Sequence, residues 1–161
     1  PCPCGYLWSK KRECTCSQAQ ISKYQSKLSG PLIDRIDIHI KMEEVDLTQY
    51  NYSGNEESSD IIRQRISKAH DIQKERFNGF DFSYNAHMSE EYMRENIKLN
   101  NSMNALLEKI NNNYGLSARS ISKIIKLART IADLDNAIDI KDSHILEAVK
   151  LRYLDTNQRF Q

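Results

Sequence analysis

The sequence predicts a mainly α-helical protein, with a helical bundle preceded by a short α/β segment. Two periodic patterns in its 161 residues support this prediction. After residue 58, apolar residues recur every three to four positions over most of the chain, as on the buried face of an amphipathic helix. Before it, Ile36, Ile38 and Ile40 alternate with polar residues, which is typical of a half-buried strand.

The N-terminal part should hold one helix and one turn ahead of this strand. Ser17 is a suitable N-cap for a helix over about 18–28. A glycine and a proline at 30–31 should end that helix, and a helical turn at 32–35 then leads into the strand. The residues predicted on the buried face of the helix are Ile21, Tyr24 and Leu28.

A long helix is expected to open the bundle. Ser58 or Ser59 can cap it, and the Phe-Asn-Gly sequence at 77–79 should end it. Residues 80–88 show no periodicity and are expected to be irregular. The residues predicted to face inward are Ile62, Ile66 and Ala69.

Three of the four remaining helices have apolar faces that can be read directly. One helix starts after Ser89, with acidic residues suitably placed at its positive end. The helix closed by residues 111–115 has Met103, Leu106, Leu107 and Ile110 on its apolar face. The helix capped by Ser117 has Ile121, Ile124, Ile125, Ala128, Ile131 and Ala132. A last helix over about 142–153 has Ile145, Ala148, Val149 and Tyr153.

Charge is balanced overall but unevenly distributed. The net charge of +1 gives no global attraction to nucleic acid or membrane, and no apolar run is long enough to cross a bilayer. Residues 1–41 carry seven basic and three acidic residues, whereas residues 42–60 carry six acidic residues and no basic one. We therefore divide the chain into a first unit at 1–45, an acidic linker at 46–60 and a helical domain at 61–161.

All four cysteines fall in the first 16 residues with the spacing C-x-C-x9-C-x-C: Cys2, Cys4, Cys14 and Cys16. Two close pairs of thiolates can form a tetrahedral zinc site, and two disulfides are the alternative. The intervening loop contains Trp8, Lys10, Lys11 and Arg12, which can contact DNA by stacking and charge or simply be solvated. The histidines show no ligand spacing and are assigned ordinary core or surface roles: His39, His70, His87 and His144.

Four motifs together resemble the magnesium-chelatase-related ComM/YifB family of AAA+ ATPases. They are residues 28–38 (LSGPLIDRIDI), 116–119 (LSAR), 127–134 (LARTIADL) and 2–5 (CPCG). The resemblance implies that residues 1–45 are the C-terminal piece of an α/β AAA+ core and that 61–161 form the helical lid. It also implies a cytoplasmic ring, a hexamer, that uses ATP and Mg²⁺ between identical subunits and acts on DNA. Magnesium insertion into a porphyrin is a less favoured alternative.

The same resemblance assigns roles to individual arginines. Arg35 resembles the arginine finger, which reaches the γ-phosphate of a neighbouring subunit's ATP. Arg119 resembles the sensor 2 arginine, which couples lid rotation to the nucleotide state, in its own subunit or in the neighbour's. Arg129 we interpret instead as a salt-bridge partner of Asp133, four residues further along the same helix.

The chain has no phosphate-binding loop of the form G-x-x-x-x-G-K-[ST] and no initiator methionine. We therefore expect it to be cut from a longer protein and not to hydrolyse ATP alone. The competing interpretation is a stand-alone, zinc-stabilised, DNA-binding helical module without an ATPase role. The near-neutral charge of this chain argues against that interpretation, because DNA-binding modules are usually basic.

Overall fold

The computed structural model describes residues 2–42 and 57–152, which form seven α-helices and one short 3-10 helix. The α-helices are α1 (Gln18–Gln25), α2 (Gly30–Ile33), α3 (Ser59–Arg76), α4 (Glu90–Asn96), α5 (Asn101–Tyr114), α6 (Ala118–Leu134) and α7 (Asp142–Lys150). The 3-10 helix is Asn85–His87, within the region predicted to be irregular. The mainly α prediction is confirmed, and the structure has the character of a helical lid domain.

Five helices begin at a residue whose side-chain oxygen accepts a backbone N–H of the first turn. These capping residues are Ser17, Ser58, Ser89, Asn100 and Ser117. Each satisfies one of the donors that a helix start leaves unpaired. At the other end of α5, Gly115 adopts a left-handed conformation with φ of 59°, which a side chain would disfavour. Four of the five caps were predicted at these serines, so these four helix starts are confirmed.

The main hydrophobic core lies between α5, α6 and α7. The apolar face of α6 packs chiefly against α7, and α5 also packs against α7 and contributes buried residues to the same core. The buried members of this core are Met103, Leu107, Ile110, Ile124, Ala128, Ile131, Ala132, Ile140, Ile145, Ala148 and Val149. The bundle predicted from the apolar spacing is therefore present.

Two predicted apolar faces are only partly buried. On α3, Ala69 is buried as predicted, but Ile62 and Ile66 remain 37% and 44% exposed. The C-terminal half of this helix lies against α6 through buried Ala69 and Gln73, whereas its N-terminal half is exposed among the described residues. On α1, Ile21 is buried, but Tyr24 and Leu28 are 39% and 37% exposed. That helix also ends at Gln25 rather than at 28, so both predictions are corrected here.

The predicted strand at 36–40 is wrong. Ile36, Ile38 and Ile40 are 40%, 50% and 55% exposed. Within the described residues, the segment makes only one isolated parallel bridge, between His39 and Arg152, and His39 N–H donates to Leu151 O at 2.9 Å. A strand requires a ladder of such bonds. A single bridge to Arg152, in the turn after α7, is not a ladder.

Residues 43–56 and 153–161 lie outside the described part of the chain. Most of the predicted acidic linker at 46–60 and the predicted core residue Tyr153 fall there. None of the described helices is both long enough and apolar enough to span a bilayer.

Candidate functional site

The four cysteines converge on one point although two pairs are separated by nine residues of chain. Cys2 Sγ lies 3.3 Å from Cys4 Sγ and 3.7 Å from Cys14 Sγ, and the distance between Cys4 Sγ and Cys14 Sγ is 3.6 Å. With Cys16 included, all four sulfur atoms lie within 4.8 Å of one another. Gly5 makes the tight turn after the first pair: its φ is 83° and its N–H donates to Cys2 O at 3.1 Å.

These distances fit a metal and not a disulfide. All four thiols are free, and their separations exceed the roughly 2.05 Å of an S–S bond. Four sulfurs placed tetrahedrally at about 2.3 Å from a zinc ion are about 3.8 Å from each other. The structure therefore shows a cluster that could bind a metal ion, with the spacing of a closed Cys4 site.

The backbone around the cluster favours a thiolate at Cys4. The N–H groups of Tyr6 and Thr15 direct hydrogen bonds to Cys4 and lower the pKa of its thiol to about 6. Stabilisation of a thiolate by N–H groups is what a metal-ligating cysteine requires, because the thiolate is the ligand.

The loop between the two cysteine pairs makes contacts within the protein. The Arg12 guanidinium lies 4.5 Å from the Tyr6 ring centroid, and its Nη1 donates to Tyr6 Oη at 3.1 Å. Trp8 is half exposed, with Lys41 Nζ 5.7 Å from its ring centroid. The predicted DNA contact of this loop stays a prediction.

Arg35 lies two residues after α2, which spans Gly30–Ile33 and so starts two residues before the turn predicted at 32–35. Its N–H donates to Leu32 O at 3.0 Å, which continues the helical turn by one residue. The side chain is exposed, and its Nη1 donates to Pro31 O at 2.7 Å. The guanidinium therefore lies at the surface on a short, hydrogen-bonded turn.

Arg119 is the second residue of α6, directly after the Ser117 cap. Ser117 Oγ accepts the N–H of Ser120 at 3.1 Å and so holds the first turn of the helix. Arg119 itself is exposed, and no hydrogen bond or ion pair joins its side chain to another described residue. It lies on the first turn, where unpaired N–H groups favour anions, and its predicted contact to phosphate stays a prediction.

Arg129 is the salt-bridge residue that the sequence predicted. It is 5% exposed, and its Nε donates to Asp133 Oδ1 at 3.1 Å. Its other nitrogens donate to Ala137 O and Ile138 O at 2.6 and 2.8 Å. Burial lowers the pKa of Arg129, and the neighbouring Asp133 carboxylate opposes that shift. This guanidinium is fully engaged within α6 and the turn after it.

Side chains from α6 and from the turn after α7 hold the segment that follows Arg35. Lys123 Nζ donates to Arg35 O at 2.7 Å and pairs with the Asp37 carboxylate. Arg152 is completely buried, and its Nη1 donates to Ile36 O at 2.8 Å and to Asp37 O at 3.0 Å. Side chains thus bind the carbonyls of three successive residues, where a strand ladder was predicted.

Sequence reasoning missed both of these basic residues. Arg152 is separated from its carbonyl partners by 115 and 116 residues, and Lys123 from Arg35 by 88. A local pattern gives no signal for such contacts, because the basic residues of α6 and α7 look the same in sequence whether the fold leaves them exposed, as Arg119 and Lys150, or buries them, as Arg129. The only hint of a buried contact was the position of Arg152, beside the apolar C-terminal end of the last helix.

Comparison with known proteins agrees with the resemblance. The family model described as "Magnesium chelatase, subunit ChlI C-terminal" matches residues 56–152, and "Magnesium chelatase, subunit ChlI" matches residues 1–50. The competence protein ComM of Haemophilus influenzae is 34% identical over 137 residues, which is 84% of this chain and 26% of that protein. The protein YifB of Escherichia coli is 32% identical over 158 residues, or 96% of this chain and 30% of that protein.

The chain thus spans only 26% and 30% of the length of these two relatives. The matches cover the Cys cluster, the Arg35 turn and the helical bundle in one continuous order, with family models on both sides of the acidic segment. The chain belongs to the magnesium-chelatase-related ComM/YifB family.

Proposed function

We propose that this chain is part of a ring-forming AAA+ ATPase of the ComM type. Identical subunits bind ATP and Mg²⁺ between them, and hydrolysis is coupled to DNA remodelling. In this proposal Arg35 is the arginine finger and Arg119 is the sensor 2 residue. An arginine finger stabilises the charge that develops on the transferred phosphoryl group. A sensor arginine reports the presence of the γ-phosphate to the lid.

The observation that carries this proposal is the family match, and the exposure of two arginines supports the roles proposed for them. Three arginines of the described helical part use their guanidinium groups in buried or half-buried bonds: Arg76, Arg129 and Arg152. Arg35 and Arg119 are exposed instead, each on a capped or hydrogen-bonded helical turn. A guanidinium on a rigid support at the surface is suited to a ligand that a second subunit presents.

The test is ATP hydrolysis by the full-length ATPase, with and without DNA, at increasing fractions of an Arg35→Ala subunit. Homogeneous Arg35→Ala rings should bind ATP with nearly unchanged affinity, while turnover falls by about 10³-fold because the transition-state charge lacks its partner. If each finger serves the neighbour's site, mixed rings should lose activity out of proportion to the mutant fraction.

An Arg94→Ala ring is the matched control, since Arg94 is also exposed and its Nε likewise donates to a backbone carbonyl four residues earlier, Glu90 O. Near-normal turnover of Arg35→Ala would remove the finger assignment. A parent protein without any nucleotide turnover would favour the competing binding-module interpretation.

We also propose that the four cysteines hold a structural Zn²⁺. The support is their mutual spacing, their free thiols and the N–H groups directed at Cys4. Four protein thiolates leave no open position for water or substrate, so such an ion stabilises the fold and takes no part in hydrolysis. The site ends at Cys16, directly before the Ser17 cap, and therefore fixes the start of α1.

A further inference from the structure

Lys123 connects the proposed finger to the helix that carries the proposed sensor. Its side chain is only 16% exposed, whereas that of Asp37 is 69% exposed. The carboxylate of this ion pair is therefore solvated, which weakens the pair. The bond to Arg35 O at 2.7 Å is the more consequential contact, because it fixes the backbone of the finger residue itself. Lys123 also follows Arg119 by one turn of α6, so the two side chains lie on the same part of the helix.

Arg152 makes a second connection to the same place. Its Nη1 binds Ile36 O and Asp37 O, and its Nη2 donates to Ser120 Oγ at 3.4 Å. Ser120 is 1% exposed and is the neighbour of Arg119 in the first turn of α6. A buried guanidinium is costly unless it is hydrogen-bonded. Here those bonds join the segment after the finger to the N-terminal end of α6.

We propose that Lys123 and Arg152 are positioning residues that hold Arg35 on the N-terminal end of α6, so that Arg35 and Arg119 move as one unit. The inference rests on the proposed function, because it assigns these residues an effect only through Arg35. It explains why three successive carbonyls are bound by cationic side chains in a segment whose isoleucines are exposed. When the lid rotates in response to the nucleotide in one site, it would then displace the arginine finger that serves the nucleotide in another site.

The test uses Lys123→Met in the full-length ATPase, which removes the cation but retains most of the apolar stem. We expect kcat to fall about 10- to 100-fold, as for a misplaced catalytic group, with KM for ATP within about twofold of wild type. Lys126→Met is the matched control: Lys126 lies on the same helix, but its Nζ donates to Ala86 O at 3.3 Å. It should leave kcat unchanged. Lys123→Arg, which retains a cation near the carbonyl, should recover most of the loss.

A double-mutant cycle separates positioning from general stability. If Lys123 acts through Arg35, the Lys123→Met, Arg35→Ala double variant should have the same kcat as Arg35→Ala alone. Arg152→Lys, which retains the charge but not the bidentate donors, should behave in the same way. Thermal melting of each variant establishes the temperature at which all are folded.

Wild-type kcat in Lys123→Met, an equal loss in Lys126→Met, or losses that multiply in the double variant would each overturn the positioning role while leaving the finger assignment intact. Wild-type turnover in Arg35→Ala would instead overturn the proposed function and the positioning role together.

Discussion

At the scale of single residues, one buried carboxylate joins α3 to α6. Asp133 is 2% exposed and accepts hydrogen bonds from Asn85 Nδ2 at 2.7 Å and from Arg76 Nη1 at 2.7 Å. Arg129 approaches the same carboxylate from the preceding turn. Two guanidinium groups and one amide therefore depend on a single side chain, and its loss would leave two cations without their shared partner.

We expect Asp133→Ala to lower the free energy of unfolding by about 3–5 kcal/mol, the range for breaking a buried ion pair by removing one partner. Asp60→Ala is the control, because Asp60 pairs with Arg63 across a fully solvated surface and should change stability by less than about 1 kcal/mol. Urea unfolding followed by circular dichroism measures both. Equal stability losses for the two variants would show that the Asp133 cluster, which consists of Asp133 with Arg76, Asn85 and Arg129, contributes no more to stability than a surface pair.

The Asp133 cluster also marks a limit of sequence reasoning. The pairing of Arg129 with Asp133 was predictable because the two residues are four apart on one helix. The contact of Arg76 with Asp133 was not, since it joins positions 57 residues apart. Fold-level contacts of this kind depend on how helices pack, which local spacing does not specify.

At the scale of elements, the helices were predictable and the strand was not. A helix satisfies its own backbone, so a capping serine and an apolar stripe at Ser117 to Leu134 are sufficient to define α6. A strand satisfies its backbone only with a partner, and the alternation at 36–40 says nothing about whether one is present. Family resemblance supplied the proposed roles of Arg35 and Arg119, which no local pattern could have given.

The Ser117 cap should stabilise the first turn of α6, the helix that carries Arg119. We expect Ser117→Ala to lower the free energy of unfolding by about 1 kcal/mol, the usual cost of losing a side-chain N-cap. Amide hydrogen exchange should show faster exchange confined to the first turn of α6, because the N–H of Ser120 loses its acceptor. Ser58→Ala is the matched control and should loosen only the start of α3. Unchanged exchange at Ser120 in Ser117→Ala would contradict the role of this cap.

At the scale of the whole molecule, the first 16 residues and the helical part differ in how much apolar core they have. The helical part has a continuous apolar core between α5, α6 and α7. The first 16 residues contribute little to it: Cys2 is the one fully buried residue among positions 2–16. A segment this short cannot form a core of its own, and a bound metal is a common way to stabilise one.

The proposed zinc site therefore predicts that metal removal unfolds one part and spares the other. The purified chain should contain one Zn²⁺ per molecule, and Co²⁺ in its place should give the absorption of tetrahedral thiolate coordination. Chelation should abolish hydrogen-exchange protection in residues 2–25 while α5, α6 and α7 retain theirs, because no residue of the main core lies in the cysteine segment. Substitutions in the cysteine segment test the same site. Cys14→Ser should lose the metal. Thr15→Ala, which changes an exposed side chain between two ligands but retains its backbone N–H, should keep it. Four freely titrating thiols in protein prepared with excess zinc would overturn the site, and loss of protection throughout the bundle would show that the two parts fold as one.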